Sequence, residues 1–436
     1  MNRLRTFIFN SIILTFTSLI IRVTDMFFNI YIAKHIGSEC SGIFGIISSI
    51  YIFTITFANS GISLATTRII GDEIDKGNLS KCNLAIKKCI LYSLFFGLLA
   101  CSFLIVFGKF ISATLLHGKL SKNPIYLMAI SLPFVSITSA FYGYFSGIRK
   151  AYKTSFTQII STIIKFIIVY LLFYINPASN IEDSCTFLIL ANTISAFLEF
   201  LFTYILYFFE KKRSKKFIYD NTKYFARIIK IAFPVAITSY IRSGLSTLKH
   251  ILIPLRLEKF NLSCSVSLSQ YGLIHGMTLP VLLFPSFFIN SFAGLLIPEF
   301  ARYNLKKDYI KMKKVINFIF KFVAVFSIII ICIFLLYNDE ISYWIYNNYN
   351  IAKYIFILSP IIIFIYLDNV IDCILKGLDE HVNVMICNIA DLFLSTTLIY
   401  FLLPIYGING YILVVYISEI FNFSISLYLL YKKIKT

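Results

Sequence analysis

Polar and charged side chains recur at every third or fourth position of the first long apolar segment. They are Thr15, Ser18, Arg22, Asp25 and Asn29. Spacings of three and four residues place all five side chains on one face of an α-helix. An arginine guanidinium on such a face can make paired hydrogen bonds to a phosphate group. The pattern therefore predicts a polar helix face that binds an anion.

Two later apolar segments carry polar faces of the same kind. Their members are Gln158, Ser161, Thr162 and Lys165 in one, and Ser239, Arg242, Ser246 and Lys249 in the other. A charged group at the centre of a bilayer costs about 2.5–3.5 kcal/mol, so such groups normally face a cavity or a partner. We expect a water-filled cavity whose basic groups hold an anionic substrate. The predicted substrate-binding residues are Arg22, Asp25, Asn29, Gln158, Lys165, Arg242, Ser246 and Lys249.

A structural interpretation of the same residues stays open at this point. Arg22 and Asp25 lie one helical turn apart and could pair with each other, which would join helices and bind nothing else. Lys165 and Lys249 could extend their long side chains to the membrane interface. No acidic residue lies within one turn of Arg242, so this interpretation explains Arg242 less well.

Acidic residues are concentrated in apolar segments of the second half of the chain. They are Asp368, Asp372, Asp391 and Glu419, with Glu199 as their counterpart in the first half. Intramembrane carboxyl groups often carry coupling protons or ions in transporters. We assign proton or sodium coupling to Asp368, Asp391 and Glu419, and keep open the alternative that they neutralise intramembrane lysines and arginines.

The elements that must position these residues are transmembrane helices. The chain has 436 residues, of which 58% are hydrophobic and 14% charged, and a mean hydropathy of +0.81. A soluble domain averages about 25% charged residues. The apolar runs are continuous over about 20 residues, which is the length of a helix that crosses a bilayer. We predict an all-α integral membrane protein with spans at residues 7–32, 42–66, 86–107, 125–148, 155–175, 185–209, 227–254, 271–297, 315–337, 353–375, 383–403 and 408–431.

The net charge of +19 predicts orientation in the membrane. Lysines and arginines are scattered between the apolar spans, which argues against a nucleic-acid partner. With twelve spans, the side that carries both termini has about four times as many of them as the other side. We therefore predict a multi-pass membrane protein with both termini in the cytoplasm.

The halves of the chain resemble each other around a basic segment at residues 211–216. We predict an N-terminal six-helix lobe at residues 1–209, a cytoplasmic linker at 210–226 and a C-terminal six-helix lobe at 227–436. The matching pairs are Gly147-Ile148 with Gly377-Leu378, Asn59-Ser60 with Asn290-Ser291, and Arg22 with Arg242. A duplicated six-helix unit is a common plan of secondary transporters, in which the substrate site lies between the repeats.

Several other functions lack the residues they need. The nine cysteines form no Cys-x-x-Cys pair, and the five histidines are dispersed, so we expect neither a disulfide nor a metal site. No glycine-rich phosphate loop is present, so the chain does not encode an ATP motor. No loop is large enough for a catalytic domain. We therefore expect a protein that is not an enzyme and needs no cofactor apart from a coupling ion.

Motifs along the whole chain are similar to those of a known transporter superfamily. They are Arg22 with Lys34 and Gly37, Ser60-Gly61-Ile62 with Ala65, Gly143-Tyr144-Phe145-Ser146-Gly147 followed by Thr157-Gln158, and Tyr271-Gly272 with Gly276-Met277. Their order and spacing resemble the multidrug/oligosaccharidyl-lipid/polysaccharide (MOP) exporter superfamily. Within it, the chain is most similar to the branch of stage V sporulation protein B and polysaccharide-export flippases.

The resemblance implies two pseudo-symmetric six-helix bundles arranged in a V. It implies alternating-access transport of an anionic polyprenyl-(pyro)phosphate-linked sugar that serves peptidoglycan or polysaccharide synthesis. The implied partners are this lipid-linked sugar, membrane lipids and cell-wall synthesis enzymes. The chain departs from the family pattern at Tyr142, where relatives often have arginine, and at Ser161, where an acid is common.

Three alternative functions stay open at the level of sequence. A MATE-like drug or cation antiporter of the same superfamily would favour acids and aromatics around a cationic ligand. A non-transporting membrane scaffold for wall synthesis would not need Arg22 or Arg242. An integral-membrane polymerase would want acids or histidines on a sizeable extramembrane loop.

Overall fold

A computed structural model describes residues 2–77, 79–115, 120–176, 180–210, 224–306 and 308–435. Side chains are described from residue 16 onward, except those of residues 79, 80, 115 and 435. Thr15 of the first polar face and the basic segment of the predicted linker, residues 211–216, lie outside the described side chains and residues.

The described residues form α-helices joined by short turns. The helices are α1 Asn2–Asn59, α2 Ile62–Asp75, α3 Leu79–Phe110, α4 Lys122–Gly147, α5 Tyr152–Ile175, α6 Ile181–Glu210, α7 Tyr224–Asn261, α8 Cys264–Tyr271, α9 Leu279–Leu283, α10 Ser286–Lys306, α11 Tyr309–Leu336, α12 Asn338–Tyr346, α13 Ala352–Leu358, α14 Ile362–Gly377 and α15 His381–Lys435. Two π-helical segments, Ile111–Leu115 and Gly272–Thr278, extend α3 and join α8 to α9.

The number of membrane crossings follows from helix length. Within the described ranges nine helices are long and apolar enough to cross a membrane, and α8–α10, bent by 58°, makes a tenth. The stretch Phe16–Asp75 has 60 residues and His381–Ile434 has 54, each enough for two crossings of a hydrocarbon layer of about 30 Å. Counting these two stretches twice gives twelve spans, in agreement with the predicted number.

Glycines separate the two crossings within the longest helices. Gly37 in α1 has φ 75° and Gly407 in α15 has φ 56°, in the region of backbone space that glycine adopts most readily. Each of these long stretches therefore consists of two helices that meet at a kink. The sequence placed a boundary between spans near both positions.

The chain divides by its internal contacts into two compact units. Unit 1 comprises Met1–Asp25 and Ile47–Gly244, and unit 2 comprises Met26–Ile46 and Leu245–Thr436. Both α1 and α7 therefore contribute residues to both units. The lobe boundaries predicted from the sequence, which assign each of these helices to a single lobe, stay a prediction.

Unit 1 is held together by close contacts between α2, α3, α4 and α6. A Cβ atom on Gly143 would lie 2.5 Å from the carbonyl oxygen of Ser63, so only glycine permits this approach of α4 to α2. The first part of α7 joins the unit through Arg227, which forms ion pairs with Asp72 and with Glu73. Tyr240 donates a hydrogen bond of 2.8 Å to the hydroxyl of Ser60.

Unit 2 includes a segment from the start of the chain. Residues 26–46 of α1 pack against α8 and the π-helix that follows it. The Ser38 and Ser269 hydroxyl oxygens lie 2.6 Å apart, and a Cβ atom on Gly272 would lie 1.9 Å from the Ser38 carbonyl oxygen. Small side chains thus let these backbones approach closely, as at many helix contacts in membranes.

The predicted internal repeat is visible in the turns that end α4 and α14. Gly147 and Gly377 are the last residues of the two helices, and the second residue after each glycine has positive φ, 61° at Arg149 and 65° at Asp379. The amide of Lys150 donates to the Phe145 carbonyl, as the amide of Glu380 does to that of Leu375. The donor and the acceptor of the second hydrogen bond each lie 230 positions after their counterparts in the first.

Of the predicted match of Asn59-Ser60 with Asn290-Ser291, only the first pair lies at a helix break. Asn59 ends α1, and Ser60 has φ 42°. Asn290 and Ser291 lie inside α10, whose break from α9 occurs earlier, at Phe284–Pro285. Pro285 has no amide hydrogen to continue the helix, so the second break is displaced toward it.

Candidate functional site

The predicted site residues are distributed over both units. Unit 1 contains Arg22, Asp25, Gln158, Lys165 and Arg242. Unit 2 contains Asn29, Ser246, Lys249, Asp368, Asp391 and Glu419. The geometry of each group is therefore described within its own unit, and the predicted cavity between lobes stays a prediction.

Arg22 and Arg242 are exposed side chains within membrane-crossing helices. Among the described side chains neither forms an ion pair. The alternative in which Arg22 pairs with Asp25 is wrong, because Asp25 is paired with a different residue. Both arginines belong to unit 1, although the sequence divided them between the two lobes.

Asp25 pairs with Lys165 across unit 1. Its Oδ1 atom lies 3.1 Å from the Lys165 Nζ, and the two side chains are 44% and 21% exposed. The pair joins α1 to α5 over 140 residues of sequence. Gln158, two turns before Lys165 on the same helix, is half-buried. The structure thus brings together Asp25 and Lys165 from two predicted polar faces.

A half-buried carboxyl group, Glu199 on α6, lies close to this pair. Tyr142 donates a hydrogen bond to its Oε1 atom and Ser161 donates one of 3.0 Å to its Oε2 atom. The Thr157 hydroxyl lies 3.3 Å from that of Tyr142. Lys165 interacts electrostatically with Glu199. One lysine therefore acts on two carboxyl groups, Asp25 by direct contact and Glu199 at longer range.

Tyr142 and Ser161 are site residues that the substrate-binding prediction omitted. The sequence did single out both positions as departures from the family pattern, in separate helices and without relating them. In the structure both side chains bind the same carboxyl group. That both residues differ from the family pattern was the sequence signal that could have pointed to a shared partner, Glu199.

The predicted ion-coupling acids lie in α14 and α15 of unit 2. Asp368 is buried, and its Oδ2 atom accepts a hydrogen bond of 2.8 Å from Asn422. Asp391 accepts a hydrogen bond from Ser418. Glu419 interacts electrostatically with Asp391 and with Asp368. The structure thus brings the three predicted acids into one electrostatically connected group.

Lys249 of α7, predicted to bind substrate, acts on two of these acids. Its half-buried ammonium group interacts electrostatically with Asp391 and with Glu419. Asn29 is exposed and Ser246 is half-buried, and neither is linked to the acids. Unit 2 therefore combines Lys249 and Lys376 with several carboxyl groups, whereas unit 1 presents two arginines without ion-pair partners among the described side chains.

Two histidines that are 25 positions apart meet in unit 2. The ring centroids of His250 and His275 lie 4.5 Å apart, and the Tyr271 hydroxyl lies 3.1 Å from the His250 Nδ1. The π-helix Gly272–Thr278 positions His275, and π-helical turns are frequent at functional sites. The separation of these residues in the sequence did not indicate this contact. Within the described residues no three histidine, cysteine or acidic side chains form a group that could hold a metal ion.

The fold defines the class of the protein. An inward-facing multidrug resistance MATE family transporter of the MOP superfamily superposes with a TM-score of 0.73 at 11% identity, covering 95% of this chain and 96% of that one. A MOP superfamily transporter from Pyrococcus furiosus Vc1 (DSM3638), described as having a binding pocket of reverse polarity, gives 0.62 at 11% identity over 99% and 96%. The chain is a multi-pass membrane protein with the MOP transporter fold.

The sequence comparison defines the family. Residues 7–304 match the family model described as polysaccharide biosynthesis protein, and the chain belongs to this family. It is also 19% identical to stage V sporulation protein B of Bacillus subtilis (strain 168) over 413 residues, which are 93% of this chain and 80% of that protein. The resemblance inferred from the motifs is confirmed.

Proposed function

We propose that this protein is a flippase that moves an anionic polyprenyl-(pyro)phosphate-linked sugar across the bacterial cytoplasmic membrane by alternating access. The observation that carries the proposal is the pair of exposed arginines, Arg22 and Arg242, in membrane-crossing helices. Since an unpaired intramembrane charge is unfavourable, both guanidinium groups need an anionic ligand or water. A pyrophosphate offers several oxygens for forked hydrogen bonds.

Family membership supports a lipid-linked sugar as the cargo. The matching family is described by polysaccharide biosynthesis, which uses sugar precursors carried on polyprenyl phosphates. We propose that Lys165 and Gln158 add contacts to the head group, and that Asp25 positions the Lys165 ammonium. Asn29, Ser246 and Lys249 are proposed as further polar contacts from unit 2.

A transport assay in proteoliposomes tests this function. Purified protein is reconstituted with a fluorescent polyprenyl-pyrophosphate sugar, and transfer between leaflets is followed by quenching from one side. We expect Arg22→Ala and Arg242→Ala to slow transfer by roughly tenfold or more, because each removes charged hydrogen bonds. Arg302→Ala is the matched control, since Arg302 is exposed and pairs with Glu299 on its own helix. Wild-type rates in both variants would sink the proposal.

A cation antiporter is the second candidate, and the acids of unit 2 favour it. Asp368, Asp391 and Glu419 together could neutralise an organic cation. Offering the same proteoliposomes a fluorescent organic cation separates the two functions. Transport of the cation without transport of the lipid-linked sugar would establish the antiporter instead.

We further propose that Asp368, Asp391 and Glu419 couple transport to protons. Each carboxyl group lies near another acid, so taking up a proton relieves the repulsion between neighbours. Transport driven by a pH gradient should be lost in Asp391→Asn and Glu419→Gln but kept in Glu340→Gln, whose side chain is exposed on α12. Dependence on a sodium gradient alone would replace the proton with sodium.

The proposed orientation places both termini and the basic loops in the cytoplasm, as the positive-inside rule predicts. Cell-wall synthesis enzymes are proposed partners on the side where the precursor is made or used. A single cysteine introduced at Tyr303, near the end of α10, tests the orientation in a cysteine-free background. We expect labelling of this cysteine by a membrane-impermeant reagent only after the cells are opened, and labelling in intact cells would reverse the orientation.

A further inference from the structure

A groove of 370 Å³ lies within unit 2 between the first turns of α11 and the last turns of α15. Its floor is apolar and is formed by Ile316 and Phe320 of α11 and Leu430 of α15. Ile316 and Leu430 are buried, 5% and 2% exposed, so the floor is well packed. The volume falls in the range of about 300–1,000 Å³ typical of small-molecule sites.

Polar groups line the rim of the same groove. Lys313 and Asn317 project from α11 and Tyr431 from α15. These side chains are exposed, and the donors of an ammonium, an amide and a hydroxyl group thus stand beside an apolar floor. The groove therefore has the two-part character of a phospholipid, with an apolar region next to a hydrogen-bonding, positively charged one.

The Lys313 ammonium at the rim is separate from the ion pairs that the described side chains form nearby. Among the described side chains Lys313 forms no ion pair. The nearby acids already have lysine partners: Asp308 lies 3.2 Å from Lys311, and Glu380 lies 2.6 Å from Lys433. An anion at the rim would therefore meet the Lys313 ammonium without displacing an existing ion pair.

The position of the groove along its helices fits the membrane surface. It lies near the beginning of α11 and the end of α15, where apolar helix gives way to lysines such as Lys314 and Lys432. Lysine-rich pockets between helices at the cytoplasmic surface attract the head groups of anionic lipids. This end of the helices lies on the side that carries the excess of lysines and arginines, which is predicted to be cytoplasmic.

We infer that this groove is a binding site for an anionic phospholipid of the adjacent leaflet. The lipid phosphate accepts hydrogen bonds from Lys313 and Asn317, while the upper part of an acyl chain lies on Ile316, Phe320 and Leu430. A zwitterionic lipid would bring its own cation toward the lysine and bind less well. The inference is independent of the transported substrate.

Native mass spectrometry of the full-length protein tests the site. Protein purified in detergent is equilibrated with phosphatidylglycerol or with phosphatidylcholine, and retained lipid is counted for each. We expect preferential retention of phosphatidylglycerol, and Lys313→Gln should weaken it about fivefold, the effect of one lysine near an anionic lipid surface. Lys314→Gln is the matched control, because it removes the same charge one position along α11 from a residue that does not line the groove.

A second pair of variants tests the groove without changing charge. Leu427 lines it and is 37% exposed, so Leu427→Trp should fill the space and reduce retention of phosphatidylglycerol. Tyr428→Trp, one position on and facing away, should retain it as the wild type does. Equal losses in Lys313→Gln and Lys314→Gln, equal retention of the two lipids, or full retention in Leu427→Trp would each overturn the inference. Unchanged melting temperatures show that all variants are folded.

Discussion

The Lys165 ammonium nitrogen lies 3.1 Å from a carboxylate oxygen of Asp25, although 140 residues separate the two in sequence. The contact ties the first helix to α5 within unit 1. It also leaves Arg22, one turn from Asp25, without that carboxylate as a partner. The Arg22 guanidinium therefore stands outside this ion pair.

The first prediction concerns this ion pair. Lys165→Gln should reduce transport of the lipid-linked sugar by roughly tenfold, because a charged contact to the head group is lost. Asp25→Asn should change transport less, since the lysine keeps its charge. Both side chains are partly exposed, so a double-mutant cycle on thermal stability should give a coupling of only about 0.2–1 kcal/mol.

Measured rates in proteoliposomes, normalised to protein reconstituted, check the prediction about Lys165. Lys165→Arg keeps the charge and is expected to retain most of the activity. Normal transport by Lys165→Gln would show that the lysine serves only to join α1 to α5. A coupling energy well above the expected range would show that the pair is structural.

The second prediction concerns the hydrogen bonds of Glu199. Tyr142→Phe removes one donor and Ser161→Ala the other, and each leaves one oxygen of the half-buried Glu199 carboxyl group without its donor. Such a loss should lower the free energy of unfolding by about 1–3 kcal/mol. Melting of the detergent-solubilised protein gives the comparison.

Tyr174→Phe is the matched control for Tyr142→Phe, because Tyr174 is 76% exposed on α5. It should melt at the wild-type temperature. If Tyr142→Phe melts there too, the hydroxyl does not contribute to stability. Glu199→Gln, which keeps the shape of the group and removes its charge, reports whether the charge is needed for transport.

The third prediction concerns two ion pairs that occupy equivalent positions in the two repeats. Lys150 pairs with Glu210 at the end of α6, whereas Glu380, the residue 230 positions later, pairs with Lys433 near the end of α15. In each repeat, an ion pair joins the turn to the last helix. The turn supplies the lysine in the first repeat and the glutamate in the second. Glu380→Lys should destabilise unit 2 through repulsion by Lys433, and adding Lys433→Glu should recover most of the loss.

Acid titration of the Glu380 pair supplies the fourth prediction. The hydrogen bond from Lys433 holds the pKa of the Glu380 carboxyl below its ordinary value. A folded-state pKa lower than the unfolded one stabilises the fold above the unfolded pKa, and this contribution is lost as pH falls through the folded pKa.

Measurements from pH 7 downward check this pH dependence. The melting temperatures of wild type and Glu380→Gln should differ by a constant amount at neutral pH. Their difference should shrink below the ordinary glutamate pKa of about 4.3. A difference that persists unchanged into strong acid would show that the charge of Glu380 is irrelevant.

The fifth prediction concerns the packing of residues 26–46 in unit 2. Gly272→Ala would place a methyl group 1.9 Å from the Ser38 carbonyl oxygen, so the backbones must separate. Overpacking of this kind usually costs about 1–3 kcal/mol. Gly294→Ala in α10 meets no atom within 4 Å and should be neutral or slightly stabilising. Equal melting temperatures for the two variants would contradict the close approach.

The sequence by itself determined the membrane class, the number of crossings and the repeated helix ends. These properties depend on local information, because an apolar run of about 20 residues is a spanning helix wherever it sits in the chain. Gly147 and Gly377 could likewise be matched by their spacing alone. The family resemblance followed from motifs that lie within single segments.

Only the tertiary structure decided which polar residues meet. Spacing along one helix left open a pair between Arg22 and Asp25, but the Asp25 carboxylate pairs with Lys165 of another helix. Tyr142 and Ser161 donate hydrogen bonds to Glu199, and the rings of His250 and His275 lie against each other. Both contacts depend on packing between segments, which periodicity within one helix does not specify. Helix periodicity fixes which face a side chain occupies, whereas its partner depends on which other face packs against it.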